Sequence, residues 1–115
     1  MQIHVLKSKI HRATITDSNL NYMGSVAIDE DLMDAAHILE NEQVHIYNVN
    51  NGERFVTYAI RGRRGSGEVV MNGAAARRVE IGDIILIVTY AVMDQEEARH
   101  HHPMILFPDK DNKLK

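Results

Sequence analysis

Asn51-Gly52 lies between two runs rich in β-branched and aromatic residues, Val44–Val49 and Arg54–Ile60. Both turn residues tolerate the positive φ of a type I′ turn, so this arrangement predicts a β-hairpin. A hairpin cannot bury its apolar face alone, so further strands are needed to cover it. The chain supplies them. Ile3–Ile15 reads as one long strand or two joined ones, and Glu68–Met71 as a short strand. Ile84–Tyr90 is a continuous apolar run, which predicts a buried central strand. Met104–Phe107 reads as a final strand. Helical patterning is confined to short stretches. Asp29 suits an N-cap, with Leu32, Ala35 or Ala36, and Leu39 forming a stripe that ends near Asn41. Asn72-Gly73 runs into Ala74-Ala75-Ala76 as a helix start, and Asp94–His100 allows a helical turn or two. Thr16–Asn19 reads as a turn cluster, and Asp109–Lys115 as a frayed end. The fold class is therefore mainly β with short helices, in a single domain spanning residues 1–115.

Composition removes several classes of function. With no cysteine, thiolate catalysis, disulfides and zinc–thiolate sites are excluded. A net charge of -3 gives no bulk attraction to nucleic acid or to an anionic membrane. No apolar run approaches the ~20 residues of a membrane span, and the first residues lack the apolar core of a signal peptide. The expected location is the cytoplasm.

The residues that can carry chemistry are scattered. In Gly24-Ser25 the serine hydroxyl can attack the carbonyl of the peptide bond before it, and glycine leaves that carbonyl open. The resulting ester can break by elimination, turning the serine into a pyruvoyl group. A second pair, Gly65-Ser66, sits in the basic, glycine-rich segment Arg61–Gly67, which reads as an exposed flexible turn unable to hold a peptide in attack geometry. Strand alternation puts Lys7, Lys9 and His11 on one face. It also puts Arg54 with Tyr58, ~13 Å apart, with Thr57 facing the other way unless a bulge intervenes. Free backbone N–H groups at the Asn72-Gly73 helix start suit a carboxylate or an oxyanion. His100-His101-His102 is not a metal motif, because consecutive side chains diverge and no second cluster matches them.

Four blocks in order bring these pieces together. They are Leu6–Thr14, Tyr22-Met23-Gly24-Ser25, Asn51–Tyr58 and Asn72–Ala76, all within residues 1 to about 93. Through them the sequence resembles the aspartate 1-decarboxylases, pyruvoyl-dependent enzymes that make β-alanine for pantothenate, and hence coenzyme A, synthesis. The resemblance implies a six-stranded double-psi β-barrel assembled as a homotetramer, with sites between subunits. It implies self-cleavage at Gly24-Ser25 into chains 1–24 and 25–115, with residues 94–115 a variable tail. The cofactor would be the pyruvoyl group made from Ser25, with neither metal nor pyridoxal phosphate. That group would take the amine of L-aspartate as a Schiff base and accept the electrons left when CO₂ departs. The resemblance assigns Tyr58 as proton donor and Lys9 and Arg54 as the cations for the two carboxylates. Thr57, Gly73, Ala74 and Ala75 complete the substrate cradle, and His11 and Asn72 line it. A maturation partner is neither implied nor excluded. The contrasting reading is a non-catalytic barrel that binds ligands, with Gly24-Ser25 an intact turn.

Overall fold

In the computed structural model, which describes residues 1–115, the chain forms eight strands and two short α-helices. They run β1 (Gln2–Thr14), β2 (Asp17–Asn19), β3 (Ser25–Asp29), α1 (Glu30–Ala36), β4 (Gln43–Asn48) and β5 (Arg54–Gly62). β6 (Val69–Asn72), a 3₁₀ segment (Gly73–Arg78), β7 (Ile84–Asp94), α2 (Gln95–Arg99) and β8 (Met104–Leu106) follow. The strand order is β2-β6-β3-β5-β4-β7-β1-β8. Eight strands replace the expected six, and the difference is accounted for by two three-residue edge strands, β2 and β8. Asp17–Asn19, expected as a turn, becomes β2 because it pairs in parallel with Val70–Asn72. The architecture is mainly β and barrel-like. No helix is long and apolar enough to cross a membrane.

The inward positions of these strands build one core, in which Ile10, Val26, Ile28, Val44, Ile46, Ala59, Met71, Ile85 and Ile87 are fully buried. Each large side chain of this kind contributes ~1.5–3 kcal/mol through removal from water. As the apolar run predicts, β7 is central, pairing with β4 on one side and β1 on the other. β1 is a single strand, but its alternation slips twice, between Leu6 and Ser8 and between Ile10 and Ala13. Arg12 sits at the second slip with φ 67°. Such bulges insert residues without a partner and re-aim the side chains around them. Lys7 falls in the first bulge and so leaves the expected Lys7/Lys9/His11 row. Its ammonium donates to the Glu42 carboxylate at 2.8 Å and to the His37 carbonyl at 2.7 Å.

The hairpin forms, with Tyr47 opposite Arg54 and Gln43 opposite Tyr58. Its turn is wider than the type I′ expected. Gly52 has φ 76° while Asn51 stays out of the left-handed region. The cause is Asn48, whose Oδ1 accepts from the Asn50 N–H at 2.9 Å, while its backbone carbonyl takes the Gly52 N–H at 2.9 Å.

α1 starts as predicted, with the Asp29 side chain capping the Asp31 N–H. It stops at Ala36, well before Asn41, because His37 turns left-handed at φ 59°. Leu39 therefore falls outside the helix and is 73% exposed, while Met33 takes its place in the core. The loop after β5 also departs from expectation. The Asp29 carboxylate accepts from Gly65 N at 3.0 Å and Gly67 N at 2.7 Å, so the segment is pinned instead of flexible. Burial acts to raise the Asp29 pKa, but the N–H groups of Gly67, Asp31 and Gly65 outweigh it and hold the carboxyl below the usual carboxylate range.

The C-terminus is docked rather than frayed. Asn112 is buried, and its side chain imitates a strand edge. It accepts from Thr14 N at 2.8 Å and donates to Thr14 O at 2.9 Å and Gly67 O at 2.8 Å.

Candidate active site

Ser25 opens β3 and is 2% exposed. Its Oγ accepts from Asn72 Nδ2 at 3.1 Å and donates weakly to the Met23 carbonyl at 3.5 Å. Asn72 lies directly opposite Ser25 in the antiparallel β3–β6 pair, so the contact follows from register. The Asn72 side chain does not cap the 3₁₀ segment as an N-cap would; it is committed to Ser25. No histidine or carboxylate reaches the Ser25 hydroxyl through these bonds. A serine meant to act repeatedly as a nucleophile needs such a base.

The tightest feature is backbone against backbone. Gly73 has φ 70°, and a Cβ there would lie 2.6 Å from Gly24 Cα, 2.8 Å from Gly24 N and 3.2 Å from Tyr22 O. Gly24 itself shows no such demand: its own Cβ would meet nothing within 4 Å, and its φ is not left-handed. The glycine that the geometry requires is therefore Gly73, seated on the Gly24-Ser25 segment. From sequence, the Asn-Gly pair signalled a helix start with free N–H groups, not a close backbone contact.

Gly65-Ser66 is committed elsewhere. Ser66 Oγ donates to the Arg63 carbonyl at 2.5 Å and accepts from Glu68 N at 3.1 Å. Gly65-Ser66 is thus an ordered turn and not a mobile one.

Registers locate the other candidates. Val26 pairs with Ala59 in the parallel β3–β5 ladder, so Ser25 and Tyr58, each one residue earlier, stand at the same level. Neighbours at one level share a face. The row through Lys9 runs across Val88 and His45 to Val56. Alternation from Val56 carries that face to Arg54 and Tyr58. The chain thus places Lys9, Arg54, Tyr58, Ser25 and Asn72 on one outer face. Lys9 and Val56 are three strands apart, ~14 Å at ~4.8 Å per strand, so one chain does not bring Lys9 to Arg54.

Thr57 remains on the opposite face, between Phe55, which packs on the core, and fully buried Ala59. The β4–β5 register is unbroken from Gln43 to Tyr47, so no bulge turns it outward. Ala74 is exposed and Ala75 packs partly on the core. Together with Phe55, Val56, Arg77 and Arg78 they line an open groove of about 380 Å³. His11 lies apart, edge-on to Phe107 at 5.5 Å, in a separate cleft with Arg12 and Asp109. Its Nδ1 is buried without a hydrogen-bond partner.

Lys9 and Arg54 enter none of the chain's ion pairs, a property they share with Arg12, Arg63, Arg77, Lys110, Lys113 and Lys115. Arg54 instead stacks its Cζ 3.9 Å from the centre of the Tyr47 ring. The Tyr47 hydroxyl lies 2.6 Å from that of Tyr90. Sequence reading missed both tyrosines, although the hairpin register alone sets Tyr47 against Arg54. The three consecutive histidines diverge: His101 Nε2 lies 2.8 Å from the Leu6 carbonyl oxygen, and His100 faces Glu96.

Comparison with known proteins matches the whole chain, residues 1–115, to the aspartate decarboxylase family. An aspartate 1-decarboxylase of Parabacteroides distasonis is 60% identical over 115 residues, covering 99% of each chain. One from Flavobacterium psychrophilum is 58% identical over the full length of both. One from Caldicellulosiruptor saccharolyticus is 59% identical, covering 99% of this chain and 89% of its own. The match runs past Met93, through the stretch expected to be a variable tail, to the docked C-terminus. On this agreement the chain belongs to the aspartate decarboxylase family.

Proposed function

We propose that this chain decarboxylates L-aspartate to β-alanine and CO₂ with a pyruvoyl group made from its own Ser25. The observation that carries this reading is the seating of Gly24-Ser25 against Asn72-Gly73: a buried serine hydroxyl without a base, held beside a peptide bond that a second glycine abuts. In the maturation step Ser25 Oγ adds to the Gly24 carbonyl carbon and the C–N bond breaks, moving the acyl group from nitrogen to oxygen. Elimination then releases the Gly24 carboxylate and leaves a dehydroalanine. Water replaces its nitrogen, which departs as ammonia, and residue 25 becomes the pyruvoyl end of chain 25–115. Asn72 orients Oγ through its amide, and Gly73 sets the position of Gly24.

The surroundings of residue 25 fit such a group, being buried, with Asn72 beside it and Tyr58 level with it on the next strand. Once formed, the ketone supplies an electrophile for the substrate amine and a sink for the electron pair left by CO₂. The remaining work belongs to side chains. Arg54 and Lys9, with no carboxylate partner of their own, hold the two carboxylates of aspartate, arginine offering a bidentate fork. Tyr58 delivers the proton that replaces CO₂ on carbon. The backbone around Gly73, Ala74 and Ala75 borders the substrate, whereas His11 stays in its separate cleft within one chain. Thr57, expected in the cradle, faces the core side within one chain. The wide separation of Lys9 and Arg54 favours a site completed by a neighbouring copy, as in a homotetramer. The product feeds pantothenate synthesis.

The test is CO₂ release from L-aspartate by the purified protein. Wild type turns over. Tyr58→Phe cleaves normally but loses ~10²-fold or more in kcat, the usual worth of a positioned general acid. A mature protein that releases no CO₂ overturns the function, and wild-type turnover in Tyr58→Phe overturns the proton-donor role.

A further inference from the structure

Arg54 is the one cation of the outer face whose plane is fixed by an aromatic ring. The hairpin sets Tyr47 directly across from it, and the guanidinium carbon stands 3.9 Å over the ring centre. A ring can hold a cation in one place only if the ring itself does not turn. Tyr47 is steadied by the hydroxyl pair with Tyr90, at 2.6 Å. Tyr90 is steadied in turn by His45, whose ring meets it edge-on at 4.9 Å and 86°. The Tyr47 hydrogen bond, aided by partial burial, raises the Tyr90 pKa above its ordinary value. The stack leaves the guanidinium N–H edge free, since no carboxylate of the chain occupies it.

We propose that Tyr47 and Tyr90 are positioning residues for substrate recognition: Tyr47 fixes the guanidinium plane of Arg54, and Tyr90 fixes the Tyr47 ring, so that the arginine fork meets a substrate carboxylate already oriented. The proposal rests on the reading above that Arg54 grips a carboxylate of aspartate. It separates two functions that share the outer face. The aromatic relay acts on binding, whereas Tyr58 and residue 25 act on bond making and breaking. Loss of the relay therefore raises KM and spares kcat. An exposed cation–π contact supports an effect of about 2- to 5-fold.

The experiment is a double-mutant cycle on the purified, matured enzyme, with L-aspartate as substrate and KM as the readout, which does not depend on the fraction of chains matured. Tyr47→Leu raises KM by about 2- to 5-fold with kcat near wild type, and Tyr47→Phe, which keeps the ring, recovers most of that loss. Tyr90→Phe gives a smaller rise in the same direction. Arg54→Ala raises KM by at least about 10-fold, the scale of a lost charged hydrogen-bonded pair. In the Arg54→Ala background Tyr47→Leu adds nothing further. If Arg54→Ala raises KM but Tyr47→Leu leaves it unchanged, or changes it equally in both backgrounds, the positioning role is overturned while the arginine keeps its own. If Arg54→Ala leaves KM unchanged, the reading of Arg54 falls and the positioning role with it.

Discussion

Gly73→Ala tests whether the backbone contact at the cleavage segment governs maturation. The added Cβ meets Gly24 Cα at 2.6 Å, about 0.9 Å inside the ~3.5 Å at which carbon atoms ordinarily rest. Both partners are backbone, so no side chain can swing aside. Either the Asn72-Gly73 turn or the Gly24-Ser25 segment must move by an amount of that order. Separately, alanine at φ 70° costs ~1–2 kcal/mol of folding stability. Gly82 separates the two effects, since it has φ 94° but its Cβ would meet nothing. Gly82→Ala therefore carries the backbone cost without the collision. The assay follows the fraction of chain cleaved with time by mass spectrometry, beside urea unfolding of each uncleaved protein. Both variants lose ~1–2 kcal/mol of stability from the backbone. Gly82→Ala then cleaves at the wild-type rate, whereas a displacement near 1 Å slows Gly73→Ala by ~10²-fold. A folded Gly73→Ala that cleaves like wild type refutes the reasoning, as does Gly82→Ala slowing cleavage equally.

Two other residues give further predictions. Asn72→Ala removes the single donor to Ser25 Oγ and slows cleavage by ~2- to 12-fold, the worth of one hydrogen bond; an unchanged half-time removes Asn72 from the maturation step. Asp29→Asn weakens the clamp on Gly65 and Gly67 and lowers stability at pH 7 by ~1–3 kcal/mol. Because the folded Asp29 pKa is depressed, its contribution is present above the unfolded value of 3.8 and is lost as pH falls through the folded one. Urea midpoints of wild type and variant should therefore converge below about pH 3.8, and a constant gap would show that the charge is not involved.

How far the sequence carried the fold depends on whether a feature was encoded locally. The β4–β5 pair, the buried β7 and the Asp29 cap follow from period and turn chemistry, all local. The departures arise where a side chain competes with the backbone or a distant segment intervenes. Asn48 widened the turn by capturing N–H groups within the hairpin. Arg12 and Lys7 shifted the phase of β1 through bulges that only the partner strand β7 defines. Asp29 and Asn112 tied down two segments that composition alone marks as loose, across sequence separations that no window spans. At the site, Ser25 and Asn72 were both identified, but only the β3–β6 register brings them into contact. Gly73 was found for its N–H, while the structure uses its missing Cβ. Lys9 and Arg54 share a face through four strands, a relation invisible without the ladder. His11 does not join them within one chain.

The most direct measurement of the central claim is the intact mass of the purified protein, taken beside Ser25→Ala. Wild type should appear as two chains, residues 1–24 and residues 25–115, the longer resistant to N-terminal sequencing and reactive toward a hydrazine. Ser25→Ala should appear as one uncut chain that releases no CO₂ from aspartate. A wild-type protein that remains a single chain of full mass while decarboxylating aspartate would contradict the account.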